Sequence, residues 1–234
     1  MKKINIKRCF TLAFLLAEGI LYSLILTTHG ELLMGSSFAS IVLCFAYALL
    51  CRGTPLLVAG LASTVAADFF LTACYPRQQL AGMVFFLAVQ TLYAIFLHRQ
   101  GFRRGWLAVR LGLTALITAV AFAVLREKTD ALAVISVWYY ANLVMNMLMA
   151  FGKIRSFPLL AVGLVLFILC DTVVGLQVAS EGYLSIGKET LLYRILFVNF
   201  NLSWLFYLPS QVLIALTAGR KKPAADANKE SSDL

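Results

Sequence analysis

The chain has 234 residues, of which 61% are hydrophobic and only 13% are charged, and its mean hydropathy is +0.86. A soluble fold could not bury that much apolar surface, since an ordinary globular chain is about 25% charged, and disorder requires low hydrophobicity and high charge. The net charge of +9 does not indicate nucleic-acid binding, because the basic residues lie between apolar runs rather than on one soluble face. The composition therefore predicts a polytopic membrane protein.

Eight apolar runs are long enough to cross a bilayer, which takes about 20 residues per helix. The connections are short, so neighbouring helices are expected to pack as antiparallel hairpins. The sequence predicts an all-α bundle of eight transmembrane helices over residues 1–217 and a disordered basic and polar cytoplasmic tail at 218–234. The runs are 9–29, 33–51, 55–74, 79–98, 105–125, 130–151, 157–178 and 190–217.

Basic residues are distributed unequally between the two sides that eight crossings define. Fourteen lysines and arginines lie on the side of the termini and four on the other side, while Arg110 and Arg194 fall inside helices. Lys and Arg are enriched in cytoplasmic loops, which predicts that both termini are cytoplasmic. The compact loops favour a bacterial inner (plasma) membrane protein.

Helices three and seven carry the same pattern. PLLVAGLASTVAAD runs from Pro55 to Asp68, and PLLAVGLVLFILCD runs from Pro158 to Asp171, at an offset of 103 residues. Proline suits the first turn of a helix, and the matching glycine in each run allows close helix approach. The match favours a parallel duplication of a four-helix unit, with coincidence as the alternative.

Asp68 and Asp171 are the strongest candidates for a functional site. Each lies 13 residues after its helix-opening proline, roughly 20 Å along the axis, so both are expected in the outer half of the membrane. An ionisable group at that depth must face the protein interior or water. In such a pair, one carboxyl group can act as a general acid and the other as a general base. The alternative is a structural pair bridged to Arg194 or to tyrosines.

Three further ionisable residues fall inside predicted helices. Arg110 is near the cytoplasmic end of helix five, where it is expected to extend to the interface and serve topology. Glu18, in the middle of helix one, is expected either to line a cavity or to pair with a polar neighbour. Arg194, near the outer end of helix eight, is expected either to bind an aspartate or a phosphate or to anchor the helix at the interface.

Other polar side chains are candidates for substrate contacts, with ordinary hydrogen bonding between helices as the alternative. They are Gln90 and Tyr93 in helix four, Tyr139, Asn142 and Asn146 on one face of helix six, and Tyr207 and Gln211 beside Pro209 in helix eight.

Metal and nucleotide chemistry have no support in the sequence. His29 and His98 lie near opposite surfaces and cannot share a metal site. The five cysteines show no zinc-binding spacing, and P-loop, GxSxG and GxGxxG motifs are missing. An enzyme of this sequence is expected to use carboxylates, amides and tyrosines, without a metal or a cofactor.

The motifs resemble those of the YhhN family, eight-helix membrane proteins whose characterised members are lysoplasmalogenases. The resemblance covers roughly residues 35–217. It rests on the Asp late in helix three and on the segments FFLAVQTLYAIF, WYYANLVMNMLMA, LFILCD and YLPSQVLIAL. The chain departs from the family pattern at Gln90, where His is usual, and at Ala67 and Cys170, where Gly and Ser are frequent. A Lys-Pro pair common in helix two is missing.

The resemblance implies hydrolysis of the vinyl ether bond of a lysoplasmalogen, a lysophospholipid taken from the surrounding membrane lipids. The products would be a fatty aldehyde and glycerophosphoethanolamine or glycerophosphocholine. Asp68 and Asp171 would share the roles of proton donor and water-activating base, in either assignment. The side chains that would help to position the substrate are Tyr93, Tyr139, Tyr207 and Gln211.

Two other functions remain open at this point. A non-catalytic lipid-binding or transport protein on the same scaffold is favoured by the repeat and by the loss of the family histidine. A structural helper within a larger membrane complex is the third.

Overall fold

A computed structural model describes residues 6–101, 105–125, 130–182, 187, 189–198 and 200–219. Within these ranges the regular structure is helical, and a π-helical turn, Phe69–Ala73, directly continues the third helix. The helices are α1 (Ile6–Thr27), α2 (Gly30–Leu50), α3 (Pro55–Asp68), α4 (Gln79–His98), α5 (Gly105–Leu125), α6 (Ala131–Gly152), α7 (Pro158–Gly182), α8 (Leu191–Leu196) and α9 (Leu202–Ala218).

The predicted apolar runs correspond in order to α1–α7 and α9, which confirms the all-α polytopic bundle. The seven helical segments from α1 to α7 are long and apolar enough to cross a membrane, α3 together with its π-helical turn. The apolar helix α9 is shorter, with 17 residues. The structure is therefore that of an integral membrane protein.

The eighth predicted run is divided rather than continuous, so its boundaries were wrong. The chain leaves the helix after Leu196 and enters α9 only at Leu202. Two hydrogen bonds connect the break to other helices: Gln177 Nε2 of α7 donates to Leu196 O at 2.7 Å, and Asn201 Nδ2, within the break, donates to Ile25 O of α1 at 3.0 Å. Asn favours such non-helical positions because its amide competes for backbone partners.

Both ends of the described chain lie on one side of the bundle. Lys7 Nζ donates to Gly219 O at 3.0 Å, beside the α2–α3 turn, where the Thr54 amide donates to Ala218 O at 3.0 Å. At the opposite end of α1, the Tyr22 hydroxyl donates to Leu205 O at 3.0 Å, near the start of α9. The helices α1 and α9 therefore run antiparallel, as an even number of crossings requires.

Some of the predicted charges cannot be placed. Residues 220–234 of the predicted tail and the loop segments 102–104, 126–129 and 188 lie outside the described residues. The cytoplasmic location of the termini accordingly stays a prediction from the charge bias.

The two four-helix halves have matching neighbour relations. Helix α1 packs on α2, α2 on α3 and α3 on α4, and in the second half α5 packs on α6, α6 on α7 and α7 on α9. A Cβ added at Gly60 in α3 would lie 2.2 Å from Tyr93 Cε1 in α4, and one added at Gly163 in α7 would lie 3.1 Å from Ser210 O in α9. The matched glycines thus permit close approach of the same helix pair in each half, as a duplication predicts.

Candidate functional site

Asp68 ends α3 in the interior of the bundle. Its side chain is 4% exposed, and its Oδ2 accepts a hydrogen bond of 2.7 Å from the Tyr207 hydroxyl of α9. The π-helical turn Phe69–Ala73 begins at the next residue, and Thr72 Oγ1 donates to the Asp68 carbonyl at 2.6 Å. Such π-helical turns occur frequently at functional sites. Asp68 is therefore held at a local irregularity of the helix, with a phenol as its donor.

Asp171 lies in the middle of α7 and has the same kind of partner. Its Oδ2 accepts a short hydrogen bond from the hydroxyl of Tyr139 on α6. Tyr139 is buried, whereas Asp171 is partly exposed. The two aspartates therefore differ in access while sharing a carboxylate–phenol contact.

Two phenylalanines join the aspartate–tyrosine pairs. The ring centroid of Phe86 in α4 lies 5.6 Å from that of Tyr139 and 6.5 Å from that of Tyr207. The ring of Phe167 in α7 lies 6.4 Å from Tyr139 and 5.5 Å from Tyr207. These residues form one unit, the aspartate centre, which consists of Asp68, Asp171, Tyr139, Tyr207, Phe86 and Phe167.

The aspartate centre combines two carboxyl groups with an aromatic lining. Asp68 and Asp171 interact electrostatically, and the buried Cys170 interacts with both. Each carboxyl group has a phenol that stabilises its charged form, and aromatic ring faces attract cations. The arrangement can transfer a proton and can stabilise positive charge on a bound group.

Arg110 does not extend to the interface, so that prediction was wrong. It is 7% exposed and donates to Asn142 Oδ1 and Asn146 Oδ1, each at 2.6 Å. Asn146 Nδ2 in turn donates to Gln90 Oε1 at 2.9 Å and to Gln90 O at 2.8 Å. The reason is that the polar face of α6 offers Arg110 amide acceptors inside the bundle. We call Arg110, Asn142, Asn146 and Gln90 the arginine network.

The polar face predicted for α6 is thus divided between two sites. Tyr139 belongs to the aspartate centre, whereas Asn142 and Asn146 bind Arg110. Gln90 also lies in the arginine network rather than at the aspartates. Of the predicted substrate-contacting residues, Tyr139 and Tyr207 are therefore the two that contact the aspartates directly.

The other predicted contacts lie elsewhere. Tyr93 is buried against Gly60. Gln211 is buried one turn after Tyr207, and its Nε2 donates to Ser210 Oγ at 3.3 Å. These two residues line the surrounding core and do not touch a carboxylate of the aspartate centre.

Arg194 does not contact Asp68 or Asp171. The predicted bridge between the aspartates and Arg194 was therefore wrong. Its side chain is 69% exposed, and its Nη2 lies 3.7 Å from Glu189 Oε2. The break before α9 leaves Arg194 on the short helix α8, outside the packed interior. A surface ion pair of this kind contributes little to stability.

The phenylalanines of the aspartate centre were missed by sequence reasoning. Phe167 precedes Asp171 by four residues, and Phe86 precedes Gln90 by four, so helical spacing placed each on the face of a polar candidate. In a chain so rich in apolar residues, phenylalanine at this spacing is not distinctive. Their contact with both tyrosines appears only when α4, α6, α7 and α9 are packed together.

Among the residues that the structure describes, no three or more His, Cys, Asp or Glu side chains are grouped so that they could hold a metal ion.

Comparison with known proteins identifies the family. The sequence model of the YhhN family matches residues 33–218. No curated protein and no solved structure matches the chain. Because the matched segment includes most of α2, all of α3–α9 and every residue of the aspartate centre, and covers more than half of the chain, the protein belongs to the YhhN family.

Proposed function

We propose that the protein is a lysoplasmalogenase that hydrolyses the vinyl ether bond of a lysophospholipid at the aspartate centre. The observation that carries this proposal is the pairing of Asp68 with Tyr207 and of Asp171 with Tyr139 around shared phenylalanine rings. Membership of the YhhN family supports it, since the sequence resembles that family's lysoplasmalogenases. The reaction requires acid–base groups and uses neither a metal nor a cofactor.

The chemistry begins with protonation of the vinyl ether. A carboxylic acid gives its proton to the alkenyl carbon that is distant from the ether oxygen, and the positive charge moves to an oxocarbenium ion. Water then adds to the carbon next to the oxygen while a carboxylate accepts its proton. The resulting hemiacetal breaks its carbon–oxygen bond to give a fatty aldehyde and a glycerophospho alcohol. As the hemiacetal breaks, its hydroxyl proton goes to the carboxylate that gave the first proton, and the departing alkoxide takes the proton that the other carboxyl group had accepted from water. One water molecule is consumed, and both carboxyl groups return to their starting protonation states.

The exposure of the two carboxyl groups supports a division of roles. Asp68 is 4% exposed, whereas Asp171 is partly exposed. We assign proton donation to Asp68, because a dry environment favours the neutral acid. Asp171 then activates water. The rings of Phe86 and Phe167 would attract the oxocarbenium ion through their faces, and the tyrosines would orient the carboxyl groups.

The setting of the reaction follows from the membrane architecture. The basic residues on the side of the termini favour cytoplasmic termini, and the compact loops favour a bacterial inner membrane. The lysophospholipid substrate would come from the membrane lipids that surround the bundle.

The test is release of aldehyde by detergent-purified protein from lysoplasmenyl-ethanolamine and lysoplasmenyl-choline. Wild type and Glu18→Gln are expected to release aldehyde, and Asp171→Asn is expected to release it about 10²–10⁴-fold more slowly while its thermal unfolding is unchanged. Glu18 is the matched control because it is a buried carboxylate outside the aspartate centre. Absence of aldehyde from folded wild type, or full activity in Asp171→Asn, would contradict the proposal.

A non-catalytic lipid-binding protein is the second candidate, and Gln90 favours it. Gln90 stands where the family usually has His, and its amide oxygen accepts from Asn146 at 2.9 Å. An amide cannot transfer a proton between acid and base states. This candidate predicts that lysoplasmalogen co-purifies intact, which mass spectrometry detects, and that no aldehyde is released.

A further inference from the structure

Arg110 occupies an unusual position on α5. Among the α5 side chains that the structure describes, only Arg110 is buried. The others are partly or fully exposed. An arginine in the membrane interior is costly unless it is paired or faces a polar site. A helix that otherwise faces outward therefore inserts one charged group into the bundle.

The positive charge of Arg110 has no counter-charge among the described residues. Its guanidinium donates to Asn142 Oδ1, to Asn146 Oδ1 and, at 3.3 Å, to Met149 Sδ. These acceptors are neutral. The one salt bridge in the part of the chain that the structure describes joins Arg194 to Glu189 and does not involve Arg110. A buried charge without an opposite charge is strongly unfavourable, so the network is suited to receive an anion.

Unused donors next to Arg110 point to the same kind of ligand. Arg110 Nε and Gln90 Nε2 are buried nitrogen atoms without a hydrogen-bond partner, and Gln90 is 0% exposed. Both residues contact Asn146, so their free donors lie in one region. His98 Nε2 is also unpartnered, and His98 interacts electrostatically with Arg110. Buried donors are normally satisfied, and an anion with several acceptor oxygens would satisfy these.

We propose that the arginine network is a phosphate-binding subsite, in which Arg110 Nε and Gln90 Nε2 bind the phosphate oxygens of a lysophospholipid headgroup. The identity of this lipid rests on the proposed function. Arginine suits the role because its planar donors match phosphate oxygens and its charge persists on burial. Asn142 and Asn146 orient the guanidinium from α6.

The distance between the two sites fits one lipid molecule. Tyr139 and Asn146 are seven residues apart on α6, or about 10 Å along the helix axis. The vinyl ether carbon of a lysoplasmalogen is six bonds from the phosphorus, about 7–9 Å when extended, and a hydrogen bond of about 3 Å completes the span. The headgroup would therefore point toward the side of the termini and the alkenyl chain toward the opposite side.

The experiment measures binding of two saturated ether lipids of equal chain length to the purified protein. One is 1-O-alkyl lysophosphatidylcholine and the other is 1-O-alkylglycerol, which has no phosphate. The proteins are wild type, Arg110→Gln, Arg110→Lys and, as the matched control, Arg99→Gln, which changes an exposed arginine at the end of α4. We expect Arg110→Gln to weaken binding of the phospholipid tenfold to hundredfold and to leave alkylglycerol binding unchanged. Arg110→Lys should recover part of the loss, and Arg99→Gln should bind as wild type does.

Three outcomes would overturn the subsite. Equal weakening of both ligands would mean that Arg110 only holds α5 against α6, and unchanged binding of both would mean that the phosphate lies elsewhere. Competition by inorganic phosphate at the same affinity as the lipid would assign the site to free phosphate instead of a headgroup. The saturated ethers have no vinyl bond, so their binding is measured independently of hydrolysis. Phosphate-dependent binding of these ethers, combined with no aldehyde release from lysoplasmenyl-ethanolamine, would reject the hydrolase and retain the subsite.

Discussion

Two buried carboxylate sites in this bundle use different donors. Glu18 of α1 is 2% exposed and accepts from Ser40 Oγ at 2.6 Å and Cys44 Sγ at 3.3 Å, both on α2. The sequence left open whether Glu18 lines a cavity or pairs, and the structure shows that it pairs. Asp68 and Asp171 instead accept from tyrosines, and the two carboxyl groups interact electrostatically.

The comparison separates a carboxylate that connects two helices from the pair that we propose to react. At Glu18, one small hydroxyl and one thiol occupy both carboxylate oxygens and connect two adjacent helices. At the aspartate centre, each tyrosine hydroxyl donates to one carboxylate oxygen, and these donors come from α6 and α9. Burial in the membrane is common to both sites. A second carboxyl group and a carboxylate oxygen without a hydrogen-bond donor are found only at the aspartates, among the two sites compared.

The strongest test of the comparison is removal of each carboxylate. Asp68→Asn and Asp171→Asn should each lower the rate of aldehyde release by about 10²–10⁴-fold, because general acid–base catalysis contributes about that much. Glu18→Gln should retain the activity. The measurement is kcat for lysoplasmenyl-ethanolamine with thermal unfolding in parallel. Loss of activity in Glu18→Gln with an intact fold would remove the distinction between the sites.

Removal of the two phenol hydroxyls is expected to have the next largest effect on activity. Tyr139→Phe and Tyr207→Phe keep the ring contacts but remove a hydrogen bond to a carboxyl group, worth about 1.5–3 kcal/mol. We expect a tenfold to hundredfold fall in kcat. Tyr22→Phe is the control, because its hydroxyl donates to Leu205 O outside the aspartate centre. Equal activity of all three variants in steady-state assays would show that the phenols do not orient the carboxyl groups.

Packing also differs between the α3–α4 contact and the part of α1 that carries Glu18. A Cβ at Gly60 would lie 2.2 Å from Tyr93 Cε1, whereas a Cβ at Gly19, beside Glu18, would meet nothing within 4 Å. Gly60→Ala should lower the free energy of unfolding by about 1–3 kcal/mol through overpacking. Gly19→Ala should leave it unchanged or raise it. Thermal unfolding in detergent measures both, and equal stability of the variants would contradict close packing at α3–α4.

The smallest expected effect is a difference in the free energy of unfolding between variants of two serines of α2. Ser40 donates to Glu18, whereas the buried Ser37 Oγ has no hydrogen-bond partner. Ser40→Ala should therefore lower the free energy of unfolding by about 1 kcal/mol, and Ser37→Ala should not lower it. Chemical or thermal unfolding of the two variants provides the measurement. A larger loss in Ser37→Ala would reverse the assignment.

The sequence alone determined the class of the protein and its principal carboxylates. Membrane spans are local properties, because a run of about 20 apolar residues is long enough to cross the bilayer. The two Asp residues were identifiable because ionisable groups are rare and costly in such runs, and their matching positions in α3 and α7 indicated a shared site. Their catalytic roles stay predictions.

Only the tertiary structure decided which polar groups meet. Helical spacing placed Tyr139, Asn142 and Asn146 on one face of α6, but it did not show that α7 contacts one end of that face and α5 the other. It likewise could not show that Arg110 turns inward or that the chain breaks before α9. These outcomes depend on the rotation and neighbours of whole helices. In a chain where most residues are apolar, many helix faces could be buried, and packing against the other helices selects among them.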